Sequence, residues 1–337
     1  MKDETITTST PVDVPVVTRR ALQAALTREE IAALTARSDW RGALAIARSW
    51  LIIAGAFALA AAWPNPLTIV VAMILIAGRQ LALAVLEHEG AHGTLFKTRW
   101  MNDVLCDWLC ARPVWQNLKK YRAHHLVHHT HTGSDQDPDL SLHAGYPVSR
   151  ASMRRKLLRD VSGYTGVKLI IGLVLMDAGY FKWTVSNHVE KLPQDGRRWW
   201  NYGLDFLRNA SGMLAANLAL YAVLAASGHG WLYLLWVGAY LTPFPLLVRV
   251  RSIAEHGVLP RVPDMLRNTR TTRATPIERL LWAPLQVNYH VEHHAMASVP
   301  YYRLPQLHAL LRARGVLGPA PDYFDVLRLA STPAAAH

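Results

Sequence analysis

The chain has 337 residues, 51% of them hydrophobic, and a slightly positive mean hydropathy, although Lys and Arg outnumber Asp and Glu by 36 to 24 for a net charge of +12. That balance sets it apart from ordinary soluble domains and from disordered chains. With two cysteines a disulfide framework is not suggested. No recognition module is visible, so the positive charge fits an anionic inner leaflet or an acidic redox protein better than nucleic acid.

In chain order, residues 1–17, rich in Thr, Val and Pro, are expected to be a disordered tail, and Lys2, Asp3 and Glu4 precede no apolar region of the kind a signal peptide needs. From Ser49 to Gly78 there is no Lys, Arg, Asp or Glu, and Trp63-Pro64-Asn65-Pro66 interrupts the stretch. Two spans are expected there, Leu44–Ala62 and Leu67–Leu86. Arg79 falls inside the second, where a charge is expected to pair or to snorkel. The first histidine cluster follows, His88-Glu-Gly-Ala-His92. Cys106 and Cys110 read as small buried apolar residues. Next comes the second cluster, His125-Leu-Val-His128-His129. Val167–Met176 is apolar but short, with Lys168 and Asp177 at its ends, and is expected to lie in the membrane interface. Asn209–Val248 is again free of charge and is broken at Ser227-Gly228-His229-Gly230, giving spans Ser211–Ala226 and Trp231–Val248. The third cluster is His290-Val-Glu-His293-His294.

Both connecting turns lack Lys and Arg, while Arg19, Arg20, Arg28, Arg37, Arg41 and Arg48 precede the first span and Lys97, Arg99, Arg112, Lys119, Lys120 and Arg122 follow the second. The positive-inside tendency puts these flanks, and both termini, in the cytoplasm. No span separates the first cluster from the second, and two separate the second from the third, so all three meet at one face. A fifth span at Val167–Met176 would break this arrangement.

Histidines three or four apart share one face of a helix, so each cluster is a rake of imidazoles. A lone histidine is usually a core or surface residue with a hydrogen-bond partner, but three rakes with almost no cysteine read as metal binding. Neutral imidazole suits iron, zinc, copper and nickel. The first cluster also spells HExxH, the zinc metalloprotease motif with Glu89 as base. That chemistry needs one further ligand and leaves six or more histidines unexplained. A metal transporter would place its site near the midplane on broken helices, not beyond the spans.

The set resembles the membrane fatty acid desaturases, the integral-membrane non-haem di-iron oxidases, whose HxxxH, HxxHH and HxxHH pattern it meets. Tyr121-Arg122 before the second cluster, Thr132-Gly133 and Asp137-Pro138-Asp139 after it, and Asn288-Tyr289 with Ser298-Val-Pro300-Tyr-Tyr-Arg-Leu-Pro305 around the third extend the likeness over roughly residues 45–315. Arg251-Ser-Ile-Ala-Glu255-His256-Gly resembles the segment that adds a further ligand. The resemblance implies an all-α integral membrane protein, four transmembrane helices under a cytoplasmic helical cap that holds two irons. The ligands carried over are His88, His92, His125, His128, His129, His256, His290, His293 and His294. His124 and His131 are expected to be neighbours, and His143, His188, His229, His308 and His337 have no claim. Glu89, Asp137, Asp139, Glu255 and Glu292 are expected to orient the ligands, since metal-bound imidazole usually donates its other N–H to such a partner.

The implied activity is oxygen-dependent desaturation of an acyl chain of a lipid or fatty acid in a multi-pass protein of the inner membrane. The alternative is hydroxylation or ketolation of a carotenoid, sphingolipid or other apolar molecule. The substrate is expected to enter from the membrane into an apolar tunnel beneath the irons. No His-Pro-Gly-Gly stretch marks a fused cytochrome b5 domain, so an external donor is expected, a ferredoxin or cytochrome b5-like protein with its reductase. The domain organisation read from this is a tail over 1–40, the desaturase-like domain over 41–320, and a C-terminal tail over 321–337.

Overall fold

The structure, a computed structural model, describes residues 24–332. The tail expected over 1–17 and His337 lie outside the described residues. Those described are helical, with no strand and only isolated bridges between Phe181 and Lys191 and between Arg273 and Asp322.

Helix α1 (Arg28–Leu34) opens on a capping box between Thr27 and Glu30. Helices α2 (Asp39–Ala62) and α3 (Pro66–His92) form a hairpin. Its turn is set by Asn65, which accepts from the backbone of Leu67 and Thr68, and by Pro66 in the first turn of α3. Outside the spans, α4 (Leu118–His131), α5 (Leu140–His143), α6 (Arg150–Val161) and α7 (Tyr164–Asp177) follow. Helix α8 (Trp199–Ala226) turns back into α9 (Tyr233–Leu241) and α10 (Pro243–His256). The last two run on as one 27-residue span, Gly230–His256, broken at Thr242 where Pro243 and Pro245 withhold backbone donors. Short helices α11 (Met265–Asn268), α12 (Pro276–Leu281) and α13 (His290–Ala295), then α14 (Leu304–Ala313) and α15 (Tyr323–Ala330), complete the described chain.

Four helices are long and apolar enough to cross a membrane, Asp39–Ala62, Pro66–His92, Trp199–Ala226 and Gly230–His256, and each contains one of the expected spans. The protein is an integral membrane protein. Leu51, Leu67, Leu218 and Val223 stand exposed on these helices, as lipid-facing side chains do. The 14-residue α7 is about 21 Å long at 1.5 Å per residue, short of the ~30 Å hydrocarbon core. It is pressed against the break in the fourth span, where a Cβ on Gly166 would come within 2.1 Å of the Leu241 carbonyl oxygen. Helix α6 is clamped to the end of the same span by Asp160, fully buried, whose Oδ1 accepts from Arg249 Nη2 at 2.9 Å.

The stretch from 321, expected to be a tail, holds α15. Tyr323, Val326 and Ala330 make one apolar helix face, buried against Met153, Val250 and Ile253. Arg79 does not snorkel. It is buried and donates to the carbonyls of Arg279 and Leu280 at the end of α12. Cys106 and Cys110 are buried and free.

Candidate metal centre

The rakes are carried by helix ends and held in register by hydrogen bonds to backbone. Helix α3 is 27 residues long, about 40 Å at 1.5 Å per residue, so its last turns outrun a ~30 Å core. His88 and His92 ride on that projecting end. Arg122 of α4 donates to the carbonyls of Ala91 at 2.9 Å and Gly90 at 3.0 Å and pairs with Asp103 at 2.6 Å. It thereby fills acceptors that the helix terminus leaves open and locks α4 onto α3. Between the two histidines, a Cβ on Gly90 would lie 2.5 Å from Cys106 Sγ, so the absence of a side chain allows the close approach. Helix α4, capped by Asn117 on Lys120 N at 3.0 Å, carries the second rake. His256 closes α10. The third rake is the six-residue α13, preceded by Leu285 and Gln286 in the left-handed region (φ 53° and 60°) and pinned by Asn288, which exchanges bonds of 2.8 and 2.9 Å with Thr272.

These four elements bring nine imidazoles together in two groups. His88, His92, His125, His129 and His293 form one, and His128, His256, His290 and His294 the other, with the ligand nitrogens in each all within 4.8 Å of one another. Helices α4 and α13 serve both groups. Their i, i+4 pairs, His125/His129 and His290/His294, go to opposite groups, and the intervening His128 and His293, about 100° around each helix, cross to the other.

The donor chemistry fits cations. Nε2 atoms of His92, His125, His129 and His293 face each other in sequence at 3.0 Å, and those of His256, His290 and His294 at 2.8 and 3.1 Å. One ring nitrogen either donates or accepts a single hydrogen, so the middle members cannot satisfy both neighbours. Both ring nitrogens of His88 are buried with no hydrogen-bond partner. A metal ion within each group removes the conflict. Burial, and then the neighbouring imidazoles, push His125, His290, His293 and His294 well below the usual histidine range, which favours the neutral ring that a metal ion requires.

A model described as "Fatty acid desaturase" matches residues 61–322 of the chain. The chain belongs to the fatty acid desaturase family. Similar proteins include the dihydrorhizobitoxine desaturase of Bradyrhizobium elkanii, 27% identical over 277 residues that cover 78% of this chain and 73% of the relative. A beta-carotene ketolase of Paracoccus sp. (strain PC1) is 26% identical over 269 residues, covering 78% and 88%. A second beta-carotene ketolase, from Paracoccus sp. (strain N81106 / MBIC 01143), is 25% identical over 231 residues, covering 67% and 73%. Family and relatives make this desaturase-family chain an enzyme, an oxidoreductase.

Of the carboxylates expected to orient ligands, Asp137 touches one directly, with Oδ1 2.7 Å from His128 Nδ1. Dry surroundings alone would lower His128, but the bond from Asp137, with Asp139 behind it, raises it above the usual value. Burial works against the charged form of Asp137, yet the bond from His128 and the nearby His143 ring, 3.7 Å away, hold it well below the carboxylate range. Asp139 instead meets His124 at 2.7 Å and stands 3.8 Å from His128. Glu255 is held by Arg251 at 2.7 Å and lies 3.7 Å from His290 Nδ1. Glu89 accepts from Thr94 Oγ1 at 2.8 Å and Tyr301 N at 3.0 Å, 3.7 Å from His88 Nδ1. Glu292 turns away from the ligands, to Thr271 and His308 at 2.5 Å. His256 is oriented by a backbone carbonyl, Asn268 O, at 3.2 Å from Nδ1. Tyr121 stacks on His125 with ring centroids 5.2 Å apart.

His124 and His131 are in neither group. His229 lies on the turn between α8 and α9, at the far end of the spans. Near that turn, between α2 and α8, is an apolar cavity of about 950 Å³ lined by Trp50, Phe57, Leu220 and Leu224 among others. His229 lines it but none of the nine clustered histidines does, so it is not the tunnel expected beneath them. A second cavity of about 550 Å³, lined by His124, Asp137, Ser141, Lys182, Trp183 and His188, lies beside Asp137, the partner of His128. His143, given no role by its spacing, lies tilted against His256 with ring centroids 5.0 Å apart.

Proposed function

We propose that this protein is a membrane di-iron oxidoreductase that uses O2 and externally supplied electrons to desaturate an acyl chain of a lipid or fatty acid. The observation that carries the reading is the partition of nine imidazoles, seven of them buried and the other two half-buried, into two adjoining groups beside the ends of membrane spans. An alkane C–H is not acidic, so side-chain acids and bases cannot break it. Two bound irons would supply the one-electron and oxygen chemistry that can. The ligands would be His88, His92, His125, His129 and His293 for one ion, and His128, His256, His290 and His294 for the other.

The chain's own contribution is placement. Asp137 and the Asn268 carbonyl fix ring orientation, and Arg122 fixes the spacing of the first two rakes. The buried helix ends exclude water, and the projecting ends of α3 and α10 put the reacting carbon at the rim of the hydrocarbon. The cavity beside Asp137, with Ser141, Lys182 and Glu190 at its wall, would take a polar end of the substrate. Both termini and the metal groups would face the cytoplasm, as the charge of the flanks favours, where a ferredoxin or cytochrome b5-like donor could reach them.

The two ketolase relatives favour a second reading, oxygen insertion into a carotenoid or another apolar molecule. Lipid mass spectrometry of cells with and without the protein separates the two, since desaturation removes about two mass units, whereas hydroxylation adds about sixteen and ketone formation about fourteen. His128→Ala and His293→Ala, one from each group, are expected to abolish turnover and lower the iron content of purified protein. Full activity in both variants, or zinc in place of iron in active protein, would overturn the assignment.

A further inference from the structure

His143 ends the four-residue α5, and its side chain is 11% exposed. Its Nε2 is buried and has no hydrogen-bond partner. It faces Asp137 Oδ2 at 3.7 Å, an oxygen that is likewise buried and without a hydrogen bond, on a side chain that is 0% exposed. The other oxygen of the same carboxylate, Oδ1, meets His128 Nδ1 at 2.7 Å and accepts from the backbone N–H of Asp139 at 2.9 Å. Asp137 thus stands between two imidazoles, one inside the four-histidine group and one outside it. The outer ring is also packed against His256, a second member of that group.

We infer that His143 is a positioning residue of the four-histidine group, acting on His128 through Asp137. The inference rests on the di-iron reading above. A buried carboxylate oxygen with no donor is costly, and so is a buried ring N–H with no acceptor. Each is the other's nearest remedy, and a small rotation of either side chain closes the gap to a hydrogen bond. With Oδ2 held by His143, the carboxylate cannot swing, and Oδ1 keeps its grip on His128 Nδ1. That grip selects the tautomer whose Nε2 lone pair faces the other three rings, and it raises the basicity of the imidazole. His143 itself stays outside the set of nitrogens close enough to share an ion.

The test compares wild type with H143F, which keeps a ring but has no donor, H143A, H143Q, which keeps an N–H donor, D137N, and the double variant D137N/H143F. Each is purified in detergent and exposed to a ferrous chelator, and iron per chain is measured with Mössbauer spectra. H143F and H143A are expected to weaken one iron site by roughly ten- to a hundredfold, the size typical of lost ligand-orienting partners. Iron falls towards one per chain, and one spectral component survives. H143Q is expected to retain most of the iron, and D137N/H143F to be no worse than D137N. Retention of both irons by H143F and H143A overturns this inference alone. So does an H143Q variant as depleted as H143F, which would make the imidazole a metal ligand in its own right, and so does additivity in the double variant. Wild-type protein without iron overturns this inference together with the di-iron reading. The surviving spectral component reports that the variants are folded.

Discussion

Two buried aspartates do different work. Asp137 holds the ring of His128 in the four-histidine group, whereas Asp160 is a structural anchor, fully buried and gripped by Arg249 at the end of the fourth span. Removing the charge of Asp160 strands the guanidinium in a dry site. Asp160→Asn is therefore expected to lower stability by about 3 kcal/mol, read as a fall in the thermal unfolding midpoint in detergent, with iron per folded chain unchanged. At this scale the sequence reveals what is local. Histidines at i, i+3 and i+4 announce three rakes, and the structure gathers those rings. Which ring goes to which group is not local, because it depends on the rotation of α4 against α13. Glu292 neighbours His293 in sequence yet turns to His308, since adjacent helical residues point about 100° apart. His143 carries no signal in its spacing at all. Its place comes from a tertiary contact between α5 and the loop after α4, and the only hint was the nearby Asp137-Pro138-Asp139 turn.

At the scale of elements, the charge-free stretches and their Pro and Gly breaks located all four spans, because a helix in lipid has no room for unpaired charge. The break at Thr242 and the seat of α7 against it depend on packing and were not legible. Neither was α15, whose residues read as a tail until Tyr323, Val326 and Ala330 meet the end of α10. The seat of α7 makes a paired prediction. Gly166 has the Leu241 carbonyl oxygen 2.1 Å from where a Cβ would stand, while Gly172 on the same helix has nothing within 4 Å. Gly166→Ala is expected to destabilise by about 1–3 kcal/mol through overpacking. Gly172→Ala should be neutral or stabilising by up to about 1 kcal/mol, from helix propensity. Equal shifts in unfolding midpoint would show that α7 does not press on the break.

For the molecule as a whole, the apolar helices establish residence in the membrane, and the flanking charges give its orientation by tendency alone. Both native cysteines are buried, so single exposed cysteines can report sidedness against a silent background. Ser227→Cys, on the turn after α8, is expected to react with an impermeant maleimide in intact cells. Gly318→Cys, between α14 and α15, should react only after the cells are opened. The reverse pattern would place the metal groups outside.

His88, His92 and His256 sit on the last turns of α3 and α10 with no loop between them and the lipid-crossing helices. Whatever tilts those helices also moves the imidazoles, and helices tilt to match the thickness of the bilayer that hosts them. Acyl-chain length in the surrounding membrane thereby reaches the spacing of these three imidazoles, with no flexible segment in between to absorb the change.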